Sequence, residues 1–440
     1  MKQLVKQLIP ASWLSTYHRF FARVAAWKFH YPSEKMIVIG VTGTKGKSTT
    51  TNLIWHLLTA AGYTVGIATT ANFRIGNKEW ANASKMTMLG RSQLQSLLND
   101  MVAAGCQYAV VETSSEGIKQ WRHLGIHYDV CAWTNLFPEH IDAHGSFENY
   151  MQAKLDLFRH LSGSKIKTIK GQGVNKAVVL NGDSEYCDAF AVESAVPTKV
   201  IWTRTPQPAA VANLVISNVV ESAEGLSFAM NGHAMTTQLL GEWNLDNIAS
   251  AVGVALTQGV DYPTIAKALA PVHLIPGRME RIEMGQPFTV IVDYAYEPVS
   301  LKLLYNFWRK LRPQQKLISL ISSTGGGRDT SRRTENGRVA GTLCDLVIVT
   351  DEDPYDDDPM EIMQQVAQGA AEAGKVFDQN AWLVPDRRQA IAAAFQMAQP
   401  GDVVFLTCKG ADQKICRAKG KKEPWDDRTV AREELTKLGF

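Results

Sequence analysis

Gly43-Thr44-Lys45-Gly46-Lys47-Ser48-Thr49 stands between the apolar run Met36-Ile37-Val38-Ile39 and a stretch in which Leu53, Ile54, Leu57, Leu58 and Ala61 recur at helical spacing until Gly62. This order of strand, glycine-rich loop and helix is that of a phosphate-binding loop. The free N–H groups and the positive end of the helix dipole favour an anion, and glycines let the backbone approach it. Lys47 can reach terminal phosphates, and the Ser48 hydroxyl can ligate magnesium. The interval Gly43-x-x-Gly46-Lys47-Ser48 is shorter between its glycines than the common P-loop pattern. The bland alternative is a Gly/Ser/Thr turn closing a strand–helix unit.

Two further groups follow apolar runs. Glu112 ends Tyr108-Ala109-Val110-Val111 and precedes Thr113-Ser114-Ser115. In an open α/β sheet, ligands sit beyond the carboxyl ends of the strands, so Glu112 can hold magnesium if it shares an edge with the loop. Alone, a strand-end glutamate is an ordinary solvated carboxylate. Thr134 to Gly145 gathers His140, Asp142 and His144 with Glu139 in one short loop. His140 could ligate a second divalent ion, or the cluster could order the loop through hydrogen bonds. Lys154 lies on the next helical stretch, where an isolated lysine is ordinarily a solvated surface residue.

The elements that must position these residues alternate between strand and helix from 36 to about 160, as in a parallel α/β sheet. Short runs at 177–180 and 199–202, broken by Asn-Gly and Glu-Gly turns, predict a small antiparallel appendage. A second alternating pattern begins after Pro276-Gly277, with apolar runs at 290–292, 317–320, 346–349 and 403–406. The expected organisation is a segment 1–35, a central ATP-binding domain over 36–276 and a Rossmann-like domain over 277–440. Pro276-Gly277 is a plausible hinge.

The 440 residues suffice for two or three domains, and 45% hydrophobic with 20% charged residues is an ordinary globular composition. A formal charge of +3 gives no reason to expect nucleic acid. Six cysteines with no Cys-x-x-Cys pair disfavour structural zinc and a disulfide framework. No apolar stretch spans a membrane, and a cytoplasmic protein is expected. Residues 1–35 carry six lysines and arginines against Glu34 alone. Within them Trp13, Tyr17, Phe20, Val24 and Trp27 share one face of an amphipathic helix. That helix either docks on the neighbouring domain or meets a membrane surface or a partner protein.

Taken together, the loop at 43–49, Glu112-Thr113-Ser114-Ser115, Thr134-Asn135-Leu136 with His140, Asp142, His144 and Gly145, and Ala153-Lys154 resemble the ATP-dependent Mur ligases. Matches continue in order through Gly241-Glu242-Trp243-Asn244 with Asn247, Pro276-Gly277-Arg278, Asp293, Gly325-Gly326 with Arg328-Asp329, Asp386-Arg387-Arg388, Lys409-Gly410 and Asp426-Asp427-Arg428. Within the family the pattern is most similar to the MurE type, which adds the third residue of the peptidoglycan stem peptide. The resemblance implies that a carboxylate is activated as an acyl phosphate and then attacked by an amino acid's amine. It implies that Gly43, Thr44, Lys45, Gly46, Lys47, Ser48 and Thr49 hold the phosphates of ATP, with Asn247 at the adenine and Arg278 and Asp293 at the ribose and phosphates. Mg2+ would fall to Ser48, Glu112, His140 and a Lys154 carboxylated by carbon dioxide, so that Lys47, Glu112, His140 and Lys154 are the expected catalytic set. Thr87, Ser114, Ser115, Gln120 and Arg122 would contact a muramyl-peptide, and Asp353, Lys409 and Asp412 the amino acid.

The sequence also departs from the family. MurE-type enzymes carry an N-terminal domain that grips UDP, and the residues before the first strand are too few for one, so that domain is expected to be lacking. Diaminopimelate-adding enzymes show Asp-Asn-Pro-Arg where this chain has Asp351-Glu352-Asp353-Pro354-Tyr355-Asp356-Asp357-Asp358. Without that arginine, the acidic loop suits an amine-bearing side chain such as lysine. Rival expectations are a folylpolyglutamate synthase-like enzyme, a ligase of lipid-linked precursor, and a nucleotide-binding regulatory module without ligation.

Overall fold

Ile37–Thr42, the run that feeds the phosphate loop, becomes strand β1 of a large sheet because its residues are buried along both faces. The structure is a computed structural model describing residues 11–82, 84, 86–138, 144–205, 213–222, 224–273, 275–327 and 330–440. Contacts divide the chain into two compact units, Met1–His273 and Leu274–Phe440.

In the first unit the strands are β1, β2 (Val65–Ala68), β3 (Asn72–Ile75), β4 (Lys78–Ala81), β5 (Tyr108–Glu112), β6 (Val130–Trp133), β7 (Thr168–Ile169), β8 (Gln172–Gly173), β9 (Ala177–Asn181), β10 (Thr198–Thr203), β11 (Leu214–Ser222), β12 (Gly225–Met230) and β13 (His233–Thr237). The helices are α1 (Ala11–Lys28), α2 (Lys47–Ala60), α3 (Arg91–Ala103), α4 (Ser115–Lys119), α5 (Phe147–Gly163), α6 (Cys187–Glu193), α7 (Asn244–Thr257) and α8 (Tyr262–Leu269). The main sheet runs β13-β12-β11-β10-β9-β6-β1-β5-β2-β3-β4.

From β2 to β11 the neighbours in this order are parallel. The expected antiparallel appendage is therefore smaller than the turn signals suggested. The runs at 177 and 199 extend the parallel sheet, while β11, β12 and β13 form an antiparallel meander at one edge and β2, β3 and β4 another at the opposite edge. The Asn-Gly turns mark sharp corners, which accompany either pairing. On one face Val38, Val111, Cys131 and Val178 pack with residues of α3 and α5. Helices α2 and α7 pack against each other.

The second unit has a six-stranded sheet built from β14 (Glu280–Ile282), β15 (Thr289–Val292), β16 (Leu317–Ile321), β17 (Leu346–Val349), β18 (Ala381–Leu383) and β19 (Val403–Leu406). Its order is β14-β15-β19-β16-β17-β18, parallel apart from the edge strand β14. Helices α9 (Pro298–Leu311), α10 (Ser331–Leu343), α11 (Pro359–Glu372), α12 (Arg387–Met397) and α13 (Asp427–Lys437) alternate with these strands or follow them, and β20 (Lys414–Cys416) pairs with β21 (Lys422–Pro424). Gly277 has φ 65°, and a Cβ there would meet the Ala411 nitrogen at 2.1 Å. Residue 277 is thus fixed inside the second unit by close backbone approach.

Arg387 and Asp427 form a buried bidentate pair in this unit, with Nε donating to Oδ1 at 2.8 Å and Nη2 to Oδ2 at 2.6 Å. Breaking a buried pair leaves one charge uncompensated. Asp427→Asn should lower unfolding stability by about 3 kcal/mol or more. Arg388→Gln, which loses only partly exposed pairs with Glu433 and Glu434, should cost below about 1 kcal/mol. Denaturant unfolding of the two variants tests the contrast.

His123 is buried beside His160, and burial followed by the His160 charge pushes its pKa down to about 3. The folded ring stays neutral while the unfolded one protonates near the usual value of 6.5. This contribution is fully present above that value and is lost as pH falls toward the folded value, by about 1.4 kcal/mol per pH unit. His123→Phe should flatten the acid side of a plot of stability against pH.

Candidate active site

The register of the first unit sets the site. Val41 pairs with Glu112 on one side of β1, and Thr42 pairs with Trp133 on the other. The carboxyl ends of β5, β1 and β6 therefore lie side by side, with α2 starting immediately after the loop.

Both loop glycines are required by geometry. Gly46 caps α2 at φ 80°, and a Cβ there would meet Asn247 Oδ1 at 1.8 Å. At Gly43, with φ 151°, a Cβ would meet Thr134 Oγ1 at 2.0 Å. Residues 134 and 135 hold the loop from behind. Thr134 Oγ1 donates to Lys45 O at 2.7 Å, Lys45 N donates to Asn135 Oδ1 at 2.8 Å, and Thr44 N donates to Asn135 O at 3.0 Å. Tyr150 of α5 reaches Thr44 Oγ1 at 3.1 Å. Asn247 is buried, accepts from Thr50 Oγ1 at 3.4 Å and donates to Asn244.

Ser48 Oγ donates to Glu112 Oε2 at 2.7 Å. Thr70, just past β2, completes the cradle, with its N–H on Oε2 at 2.7 Å and its Oγ1 on Oε1 at 3.0 Å. Thr70 Oγ1 also lies within hydrogen-bond distance of the Thr87 hydroxyl, at 3.0 Å. Glu112 is thus a buried carboxylate held entirely by neutral donors, in the hard-oxygen setting that suits Mg2+. Among the described residues no cluster of three or more His, Cys, Asp or Glu could hold a metal. His140 and Asp142 lie outside the described residues, as do Arg328 and Asp329.

Lys47 Nζ donates to Gly43 O at 3.0 Å and Thr44 O at 2.8 Å. Lys154, far from being a solvated surface residue, is 1% exposed, donates to Gly43 O at 2.8 Å and lies 4.4 Å from the Tyr150 ring centroid. Thr49 and His144 are also buried, and burial pushes the His144 imidazole below its usual range.

A second group adjoins the first. Ser114 caps α4 by accepting from Gly117 N at 3.2 Å, and Ser115 is buried. Arg122 donates to Gln120 Oε1 at 2.7 Å and to Met88 O, next to Thr87. Arg91 donates to Gln120 O at 2.8 Å. Hydrogen bonds run from Ser48 through Glu112 and Thr70 to Thr87, and from neighbouring Met88 through Arg122 to Gln120 and Arg91. Two guanidiniums meet at Gln120, a pairing that favours an anionic group between them. Sequence reading missed Thr70 and Arg91. Thr70 follows a parallel strand on the same sheet edge, which is a readable signal; nothing local singles out Arg91.

In the second unit Asp293 accepts from Met279 N and Ala295 N, each at 2.7 Å, and burial pushes its carboxyl up against the opposing pull of Arg278. The Arg278 guanidinium lies 4.6 Å from the Tyr294 ring centroid. Lys409 is buried, donates to Asp353 at 3.1 Å and to Lys414 O at 2.7 Å, and lies 3.6 Å from Asp412. Other carboxylates of the acidic loop are engaged within the unit as well: Asp351 by Arg417, Asp357 by Arg333, and Asp358 as the cap of α11. The expectation that this loop suits an amine side chain counted its charges without these internal partners.

The family profile of the Mur ligase middle domain matches residues 41–255, and that of the Mur ligase glutamate ligase domain matches 277–410. A UDP-N-acetylmuramyl-tripeptide synthetase from Roseiflexus sp. is 36% identical over 425 residues, covering 95% of this chain and 82% of that protein. A solved UDP-N-acetylmuramoyl-L-alanyl-D-glutamate–2,6-diaminopimelate ligase superposes with TM-score 0.63 at 25% identity, covering 95% and 83%. E. coli FolC, solved with DHPP and ADP, superposes with TM-score 0.66 at 16% identity over 98% of each chain, a likeness of fold alone. Matching profiles in both units, with a relative of this identity and coverage, show that the chain belongs to the Mur ligase family of ATP-dependent ligases.

Proposed function

We propose that the chain joins an amino acid to the free carboxylate of a muramyl-peptide, at the expense of ATP, in the manner of the MurE type. The observation that carries this reading is the continuity of the two residue groups. The Ser48–Glu112 pair connects through Thr70 to Thr87, and adjacent Met88 connects through Arg122 to Gln120, while Ser114 and Ser115 follow Glu112 closely in the chain. A carboxylate bound near the arginines would thus lie along the same sheet edge as the loop.

The loop N–H groups with Thr44, Lys45, Lys47 and Thr49 would hold the phosphates of ATP. Gly43 and Gly46 would admit them, and Asn247 would flank the nucleotide. Ser48 and Glu112 would ligate Mg2+, which when bound supplies charge neutralisation at the transferring phosphoryl group. Lys47 would leave its present carbonyl acceptors for the phosphates. The substrate carboxylate attacks the γ-phosphate and ADP leaves; the amine then attacks the acyl carbon and phosphate leaves. Arg278 and Asp293 would address a nucleotide's ribose and phosphates, and Asp353, Lys409 and Asp412 would order the amino-acid site.

Lys154 would carry a carbamate. A neutral amine adds to carbon dioxide, one N–C bond forms and one proton is released, leaving an N–H that can still donate to Gly43 O. Supporting this is the burial of Lys154 against the loop, where an unmodified ammonium has little access to water.

Mass spectrometry after incubation with Mg-ATP, an amino-acid panel and UDP-linked or nucleotide-free muramyl dipeptide should show a new tripeptide. ATP turnover without any adduct would overturn the reading. Glu112→Gln, which keeps the size but removes the charge, should lower kcat/KM by roughly a hundredfold. Lys154→Ala should abolish ligation while nucleotide binding persists. In the unmodified chain, carbon-13 dioxide should give a carbamate resonance that Lys154→Ala removes.

A further inference from the structure

Helix α1 is amphipathic in an unexpected sense. It docks through its small residues: Ala22, Ala25 and Ala26 are buried, and Gly125 allows the approach, since a Cβ there would meet Ala22 O at 2.9 Å and the Ala26 Cβ at 3.1 Å. Ser15 accepts from Trp121 Nε1 at 2.9 Å, Arg19 lies 4.7 Å from the Trp121 ring centroid, and His18 meets Arg91. The opposite side carries Trp13, Phe20 and Trp27 at 74%, 61% and 68% exposure, with Tyr17 exposed beside them. Among the described residues, docking on the first unit therefore leaves the aromatic stripe uncovered.

We propose that this stripe seats the protein on an anionic lipid surface. Charge complementarity selects that occupant. Exposed Arg23 and Lys28 flank the stripe, Lys35 follows it, and the only acid in residues 1–35, Glu34, is engaged by His127 and Lys165. Tryptophan, tyrosine and phenylalanine with flanking cations are the residue types that settle at the headgroup boundary, where an apolar body and a polar edge are both satisfied. Lys2 and Lys6 extend the basic sequence toward the N-terminus. Among the described residues no helix is long and apolar enough to cross a membrane, so the attachment is in the interfacial plane.

The test is flotation of the full chain with vesicles of phosphatidylcholine alone and of phosphatidylcholine mixed with phosphatidylglycerol. Binding is expected on the mixed vesicles and should weaken as salt rises. The triple variant Trp13→Ser, Phe20→Ser, Trp27→Ser should lose it by roughly tenfold or more. Arg23→Gln with Lys28→Gln should weaken binding to the anionic vesicles by roughly tenfold to thirtyfold. All these positions are exposed, so circular dichroism and nucleotide binding should match those of the parent. No flotation of the parent chain, or equal binding to both vesicle types, would overturn the proposal. So would a concentration-dependent dimer that the triple variant abolishes in the absence of vesicle binding. Flotation needs no turnover, and its result is independent of whether the ligation reading stands.

Discussion

A loop that cradles an anion has to be held in shape by the rest of the fold. Here Asn135 takes the Thr44 and Lys45 N–H groups, and the loop carbonyls and glycine Cα positions are held as well. Gly43 O accepts from Lys47 and Lys154, Lys45 O accepts from Thr134, and the two glycines rest against Thr134 and Asn247 with no room for a methyl group. These partners come from β6, α5 and α7, so three distant stretches of chain converge on a few backbone atoms. The parallel order of the sheet follows from the same need, because only parallel neighbours bring the ends of β1, β5 and β6 to one edge.

What could be read from the sequence follows from the range of the interaction concerned. The loop, Glu112 and the alternation of strand and helix are local patterns, and each was legible. Lys154 was legible only through family resemblance, since its burial depends on Gly43, 111 positions away. The helical wheel of residues 13–27 placed the aromatic residues on one face but could not say which side docks. That choice depends on Gly125, whose missing side chain admits Ala22 and Ala26. Similarly, the acidic loop at 351–358 looks like a surface awaiting a cation until Lys409, Arg417 and Arg333 are seen to occupy it.

Buried charges around the phosphate loop are held differently from those of the second unit. In the second unit, Arg387 with Asp427 and Lys409 with Asp353 pair side chain to side chain, which fixes the loops beyond β16, β17 and β19 relative to one another. Around the phosphate loop of the first unit, Lys154 and Lys47 donate to backbone carbonyls and Glu112 accepts from neutral groups. A carbonyl offers a cation less compensation than a carboxylate does. A carboxylate held by neutral donors, as Glu112 is, can turn toward a metal by exchanging hydrogen bonds.

The same reasoning bears on α1. A helix that had evolved only to cover the first unit would turn its largest apolar residues inward, since burying a tryptophan or phenylalanine yields far more than burying an alanine. This helix does the reverse, and its docking is small-residue packing supplemented by polar contacts with Trp121 and Arg91. The free energy left unused by its exposed rings is available to an external apolar phase. The docked side is anchored to Trp121 and Arg91, and Arg91 also donates to Gln120 O, so α1 and Gln120 share one partner.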